Sequence, residues 1–487
     1  MADAAAPVST TTTLPTVIQG GMGVAVSDWR LARAVASTGQ LGVVSGTALD
    51  VLLTRRLQAG DPGGDVRRAL AAFPRPEVAA WILDAYFVEG GIAAEQRFAQ
   101  VPRHTLSSSV RLQELTVAAG FVEVFLAKAG HSGTVGINFL RKIELPLPAT
   151  LYGAMLAGVD AVLVGAGSPA DIPQMVRTLA RHDPVVVAVK VLGARSDDAV
   201  GDLRFAPQVV LPQPPAPLGH PMVIAIVAST DLAGGLAGHP DTRPDGFVVE
   251  GASAGGHNAP PRGPRRVDEL GQPVYDDRDD VDIAEILALG LPVWLAGGYG
   301  TPARVREALD LGATGVQVGT LFAYSDESGF APSIKDQMRR RAVSGELSVR
   351  ADWRVSPTGF PFRVADLPGT LTDETVRAAR KPVCDLGVLR TAYLREDGEV
   401  DYRCPAEPLA AYVRKGGREV NTQGRLCLCN ALLASAGFPQ RRPGGACEAP
   451  LVTSGTDLTP VVHLLTATDR CGYGAADAVA HLLSQAG

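Results

Sequence analysis

The residue types best suited to chemistry are concentrated between Asp245 and Gly263, in DGFVVEGASAGGHNAPPRG. A short apolar run, Gly246-Phe247-Val248-Val249, gives way to a turn of small residues, and His257 follows directly on Gly255 and Gly256. Glycines carry no Cβ, so a backbone rich in them passes close to a flat ligand. An imidazole held beside that ligand exchanges a proton near neutral pH. His257 is therefore the leading catalytic candidate. The stretch also matches G-x-S-x-G from Gly251 to Gly255, with Ser253 at its centre. A nucleophile elbow needs a helix directly after its serine turn. Asn258-Ala259-Pro260-Pro261 follows instead, which argues against a hydrolase. Lys142 and Lys190 are candidate amines, and Lys142, four residues beyond Asn138, is placed to reach the same mouth. Neither a Walker A loop nor an H-E-x-x-H pair occurs, so phosphoryl transfer on a P-loop and zincin chemistry are not indicated.

Three further glycine turns bear on a ligand. Gly297-Gly298 precedes a helix start marked by Thr301 as cap and Pro302 in the first turn. Gly319-Thr320 follows the apolar run that contains Gln317. Backbone N–H groups from both turns, with the positive end of the helix, make a cradle for a phosphate. The turn Gly20-Gly21-Met22-Gly23 follows the first apolar run. In a closed barrel the first and last strands are neighbours, and the phosphate site of such barrels lies after strands seven and eight. Gly21, Met22 and Gly23 then lie along the ring of the ligand whose phosphate sits at Gly298 and Gly319. One terminal phosphate with open backbone along a plane suits FMN. No G-x-G-x-x-G occurs, and the two looser G-x-G-x-x-A turns at Gly165 and Gly298 fall late in the chain. A dinucleotide fingerprint belongs to the first turn of its fold, so FAD is not expected.

Positioning these turns takes a repeating scaffold. Apolar runs starting near residues 16, 41, 134, 160, 222, 246, 292 and 315 alternate with helical patterns. Eight such units predict an α/β fold of the (β/α)8 TIM-barrel type, with an open doubly wound sheet as the alternative. A frayed tail is expected over 1–14 and the barrel over 15–330. Residues 48–133 break the rhythm and predict a helical insertion after strand two, including an amphipathic helix over Leu112 to Ala129. Residues 185–211 read as an inserted hairpin closed by the proline-rich run 212–217. Residues 331–487 lose the repeat and predict a mostly helical extension packed on the barrel.

A net charge of −6 with no long basic run argues against nucleic acid or an anionic membrane as partner. No stretch reaches 18 uninterrupted apolar residues, so no membrane span is expected. The alanine- and threonine-rich start lacks a basic n-region and a long apolar core, which points to a cytoplasmic protein. The cysteines all lie at or beyond Cys384. Cys384, Cys404, Cys427 and Cys429 could suit a tetrahedral zinc site, but they lack paired C-x-x-C knuckles, so no metal is assigned and reduced thiols are expected.

Together the turns resemble the nitronate monooxygenase (2-nitropropane dioxygenase-like) flavoproteins. The matching stretches are QGGMG at 19–23, VVSG at 43–46, GIN at 136–138, AGVDAVLVGAG at 157–167, ASAGGH at 252–257 and LAGGYGTPARVREALDLGATGVQVGTLF at 295–322. The resemblance implies an FMN-dependent barrel with His257 as the catalytic histidine. It implies flavin contacts at Gly21, Met22, Gly23, Asn138, Gly255, Gly256, Gly298, Gly319 and Thr320. The strand-end residues Ser45, Gly165, Gly297 and Gln317 complete the expected cofactor set. LAKAGHSGTVGINFLRKIELPLPATLYGAMLAGVD at 126–160 and GTLFAYSDESGFAPSIK at 319–335 look like a longer branch of the superfamily. That branch includes trans-acting enoyl reductase subunits of polyunsaturated fatty acid and polyketide synthases. Tyr299 departs from the aliphatic residue usual in the Gly-Gly turn and, with Lys142, is a candidate substrate contact. The implied activity is oxidation of a nitronate or nitroalkane with O2 to a carbonyl compound and nitrite. His257 would bind the nitro oxygens or take the α-proton. The alternative is an NAD(P)H-dependent enoyl reductase acting on an acyl carrier protein, and in either case a homo-oligomer is possible.

Overall fold

A computed structural model describes residues 14–195, 199–251, 253–467 and 472–484. The expected tail over 1–14 falls, but for Leu14, outside the described residues, as do Ala252 and Cys471. Eight parallel strands form one sheet: Val17–Gln19, Gly42–Ser45, Val135–Leu140, Ala161–Gly165, Met222–Val227, Gly246–Glu250, Val293–Ala296 and Gly315–Val318. They are numbered one to eight below. Each pairs with the next in chain order, and strand one pairs with strand eight. A parallel bridge between Ile18 and Leu41 joins strand one to strand two. Gln19 N–H donates to Leu41 O at 3.0 Å and Leu41 N–H to Val17 O at 3.1 Å, so the sheet closes into a (β/α)8 barrel.

The barrel interior is a packed core of Ile18, Leu41, Val43, Leu163, Ile224, Val248 and Trp294. Such strands carry apolar residues on both faces because helices cover the outside. Trp294 is fully buried, and its indole N–H finds a partner in Pro15 O at 2.8 Å. Gln19 is one polar exception. Its Oε1 accepts from Val43 N–H at 2.9 Å and its Nε2 donates to Ser27 Oγ at 2.8 Å. One buried amide thereby ties strand one to strand two and to the turn that follows. Asp28 caps the first helix, accepting from Arg30 N–H and Leu31 N–H.

The insertion contains helices Leu49–Gln58, Asp65–Ala71, Pro76–Tyr86 and Val110–Ala127. The long helix is not amphipathic as the sequence suggested; it is buried almost all round. Its two inward acids are neutralised, Glu114 by Arg75 and Arg111, and Glu123 by Arg56. Leaving either charge unpaired there would cost about 3–5 kcal/mol. The helix packs closely on Leu147–Leu156 because a Cβ on Gly120 would meet Thr150 O at 2.3 Å and one on Gly153 would meet Val117 O at 2.0 Å.

Residues 185–188 pair antiparallel with 202–205, after which 207–210 turn helical instead of continuing as strand. The region beyond 331 carries helices, as the sequence indicates, but also two antiparallel pairs that it did not reveal. Val349–Asp352 pairs with Phe362–Ala365, and Thr391–Leu394 with Val400–Arg403. Among the described residues no helix is long and apolar enough to cross a membrane.

Candidate functional site

At the C-terminal ends of the strands lies a cavity of about 250 Å³. Parallel strands end there with their turns directed outward, which is where barrels place their chemistry. Its floor is the glycine turn after strand one. A Cβ on Gly21 would stand 2.2 Å from Asn138 Cβ, so only glycine fits between that side chain and the cavity. Asn138 Nδ2 donates back to Gly21 O at 3.3 Å. Met22 N–H donates to Ser27 Oγ and Ser27 Oγ–H to Gly20 O, both at 2.8 Å, which fixes the path of the turn. Gly21, Met22, Gly23 and Asn138 all face the cavity.

The turns after strands seven and eight complete one end. Gly297 and Gly298 both have positive φ, +89° and +82°, a backbone that glycine adopts without strain. Thr301 Oγ1 accepts from Arg304 N–H and Pro302 fills the first helical turn, as expected from the sequence. Gly297, Gly298, Tyr299, Gly319 and Thr320 line the cavity. Gln317 also lines it, and its Oε1 is buried with no hydrogen-bond partner in the protein. An orphaned acceptor facing a glycine-lined slot is what a ring carrying an N–H donor would satisfy. The donor set therefore fits a planar, phosphorylated ligand such as a flavin.

Two expected contacts do not face this cavity. Ser45 is buried behind the first turn, where its Oγ would lie 3.1 Å from a Cβ on Gly23. Gly165 packs on Ile226, and a Cβ there would meet it at 2.9 Å. Both lie on the barrel-interior face of their strands, with Val43 and Leu163, but Gly23 covers the one and Ile226 the other.

His257 reaches the cavity on the far side. Its backbone bridges to Phe362, with Asn258 N–H donating to Pro361 O at 3.0 Å and Arg363 N–H to Gly256 O at 2.8 Å. The imidazole stands edge-on to Phe362, ring centres 4.8 Å apart. Nε2 lies 2.7 Å from Ser356 Oγ, which in turn is 2.8 Å from Thr358 Oγ1. Burial, reinforced by the Lys142 ammonium, pushes the His257 pKa well below its usual value, so the ring is neutral at pH 7.

The sequence reading passed over Glu250. It ends strand six, lines the cavity and accepts no hydrogen bond or ion pair at its carboxylate among the described residues. Burial raises its pKa to about 7 against the lowering pull of Lys142. Lys142 in turn is brought down to about 8 by burial, with Glu250 opposing. Its Nζ is buried without a hydrogen-bond partner and sits 3.8 Å from the centre of the Phe360 ring. Lys142 does not face the main cavity. It lines a second one of about 460 Å³, as does Lys190, and the two cavities share Ala48, Val388 and Leu389 in their walls. The signal for Glu250 was present as a carboxylate closing an otherwise apolar strand directly before the turn.

The region beyond 331 forms the opposite wall with Val388, Leu389, Leu428, Cys429, Leu432 and Pro460. Thr453 Oγ1 accepts from Gly256 N–H, and Gly455 N–H donates to Thr320 Oγ1, each at 3.0 Å. One loop thus ties the Gly-Gly-His turn to the turn after strand eight. The thiols influence one another in two pairs, Cys404 drawing Cys384 down while it is itself raised, and Cys429 drawing Cys427 down to about 6 while it is itself raised. No group of three or more His, Cys, Asp or Glu that could hold a metal ion is present among the described residues.

Residues 218–351, which contain strands five to eight and His257, match the family model "Nitronate monooxygenase". The chain is 32% identical over 126 residues to a nitronate monooxygenase of Pseudomonas aeruginosa. That stretch is 25% of this chain and 32% of the relative, so the chain spans about a third of the curated relative's length. Among solved structures it is similar to nitroalkane oxidase from Streptomyces ansochromogenes, at 16% identity and a TM-score of 0.46, over 97% of this chain and 96% of that one. It is also similar to FabK from Thermotoga maritima, at 17% identity and a TM-score of 0.39, over 73% and 72%. The family-model match carries the last four strands and the Gly-Gly-His turn.

Proposed function

We propose that the protein is an FMN-dependent oxidoreductase that oxidises a nitronate or nitroalkane with O2, giving a carbonyl compound and nitrite. The observation that carries this reading is the convergence of the turns after strands one, seven and eight with His257 on one cavity. The barrel of 15–330 is the catalytic unit, with 331–487 closing its mouth. The turns at Gly298 and Gly319 hold the phosphate through backbone N–H groups. The Gly21–Gly23 turn, Asn138 and Gln317 border the ring. FMN, when bound, supplies the two-electron acceptor that passes electrons from the substrate to O2. His257, neutral and held by Ser356, presents a fixed hydrogen-bonding edge to the nitro oxygens. The apolar wall of Leu428, Leu432 and Pro460 excludes water and strengthens every charge interaction inside.

A second reading, an NAD(P)H-dependent enoyl reductase, is favoured by one observation. The second cavity carries Lys190 and Arg390, which make no ion pair among the described residues, while its carboxylates Asp50 and Glu144 are paired with His104 and Arg141. A surplus of cations beside the cleft suits a substrate or donor with an anionic arm. Anaerobic mixing separates the readings. The proposal expects a nitronate to bleach the flavin absorbance and NADPH to leave it nearly unchanged. Rapid bleaching by NADPH, with no response to nitronate, would reverse the order.

A further inference from the structure

The second cavity, of about 460 Å³, collects basic side chains from four parts of the chain. Arg141 and Lys142 follow strand three, His104 comes from the helical insertion, Lys190 from the hairpin and Arg390 from the extension. Two acids share the wall, Asp50 and Glu144, and both are engaged. Asp50 stands 2.9 Å from His104 Nε2, and Arg141 donates to Glu144 and Asp171 at 2.8 Å each. The other three cations have no carboxylate partner among the described residues. Arg390 is already oriented. Its Nε donates to Gly387 O at 3.1 Å and its Nη2 to His104 O at 2.6 Å, with the guanidinium 4.7 Å from the centre of the Tyr402 ring. Its Nη1 has no partner among the described residues. Lys190 is exposed, and its ammonium is equally free there. Lys142 Nζ is buried without a hydrogen-bond acceptor, 3.8 Å from the centre of the Phe360 ring. Arg103 adds a cation beside Arg390, while Asp401 on that side already accepts from Tyr393 Oη and Tyr402 N–H. Charges left unpaired in a wall are costly, so the cluster calls for an anion that the protein does not itself supply.

Resting on the assignment of the first cavity to a flavin, we propose that the second cavity binds the phosphate-bearing end of an elongated substrate, through Arg390 and Lys190 with Lys142 as a third charge. Cations from three elements suit a dianion better than a single carboxylate, and the free edge of a guanidinium matches phosphate oxygens. Ala48, Val388 and Leu389 line both cavities, so a chain anchored at the cations passes over apolar side chains to the flavin. One strand end serves both sites, since Asn138 faces the first cavity and Lys142 the second. Binding energy from such a remote end holds the reacting atoms in position over the ring. The site serves either of the two reactions considered above, because it takes the part of the substrate that does not react.

The test titrates the purified holoprotein with hexyl phosphate, hexanol and inorganic phosphate, followed by heat and by the flavin absorbance band. We expect hexyl phosphate to saturate a single site and to shift the band, with hexanol weaker by about tenfold or more for want of charge-assisted hydrogen bonds. Inorganic phosphate should compete with hexyl phosphate without shifting the band, and added salt should weaken both. Lys190→Ala and Arg390→Gln should each weaken hexyl phosphate by about tenfold and leave hexanol unchanged. Arg390 also holds Gly387 and His104, so Lys190→Ala decides the matter if Arg390→Gln does not fold. Lys142→Met should weaken hexyl phosphate less, since its ammonium already faces the Phe360 ring. Equal affinities for hexyl phosphate and hexanol, or hexyl phosphate binding unaltered in Lys190→Ala, would overturn the site. Equal binding of hexyl phosphate and inorganic phosphate, with neither shifting the band, would make it a site for a free anion and overturn the substrate arm. A protein that carries no flavin would sink the assignment of the first cavity, and the heats would still decide whether the second binds phosphate.

Discussion

The two walls of the cleft are built by opposite means. On the barrel side the turns after strands one, seven and eight present mostly backbone, with Gly21, Gly297, Gly298 and Gly319 leaving room for a ligand. On the extension side, Leu428, Leu432 and Pro460 present apolar side chains, and Thr453 and Gly455 anchor the barrel's own turns. The first wall binds through N–H groups whose direction the strands determine. The second removes water and holds the first in place. A ligand site of this kind needs both, since few polar groups must be aimed accurately within a mostly apolar enclosure.

The largest effect should come from the one side chain that spans the two walls. His257 belongs to the barrel but is held by Ser356 and Phe362 of the extension. His257→Asn should lower turnover of nitronate and neutral nitroalkane together, by about 10²-fold, as removal of a preorganised hydrogen-bonding group does. Flavin content should stay at the parental level, measured by absorbance per chain. A variant that lost its flavin would show His257 to be part of the binding wall instead.

How far the sequence went in revealing these walls follows from their chemistry. Gly297, Gly298, Thr301 and Pro302 report their local geometry in their residue types, so the strand-end turns and the eight-strand count were legible. Thr453, Gly455 and Ser356 report nothing locally, because what they bond lies 100 or more residues away in most cases, as for Gly256 at 197 and Thr320 at 135. Ser45 and Gly165 do not line the cavity for a third reason. They share the barrel-interior face with Val43 and Leu163, but Gly23 and Ile226 lie over them, and such tertiary covering leaves no mark on the local sequence. The strand Phe362–Ala365 was missed although Phe360, Phe362 and Val364 alternate, since proline and glycine around it look like loop.

Smaller effects sharpen the contrast. Gly21→Val places a branched side chain against Asn138, and overpacking of this kind costs about 1–3 kcal/mol. Flavin affinity should fall by roughly tenfold or more, read by fluorescence as cofactor is titrated into stripped protein. On the opposite wall, Thr453→Val removes the acceptor for Gly256 N–H. Losing one such hydrogen bond costs about 0.5–1.5 kcal/mol, so a small drop in Tm is expected with flavin retained. If Thr453→Val abolished flavin binding while Gly21→Val did not, the roles of the two walls would be exchanged. Smallest of all, Cys427→Ser should leave the rate of flavin reduction unchanged, because Cys427 does not line the cavity and works only through its neighbours Cys429 and Asn430. Stopped-flow absorbance checks this, and a loss of reduction with the flavin still bound would make the thiols part of the electron path.

The central claim is that one cleft, glycine-lined on one side and apolar on the other, holds a flavin mononucleotide. Release the cofactor from the purified protein by heat, identify it by mass and count it per chain. The account predicts FMN at one per chain, held with its single phosphate at the turns after strands seven and eight. FAD in its place, or a protein that neither carries FMN nor takes it up, would contradict the account.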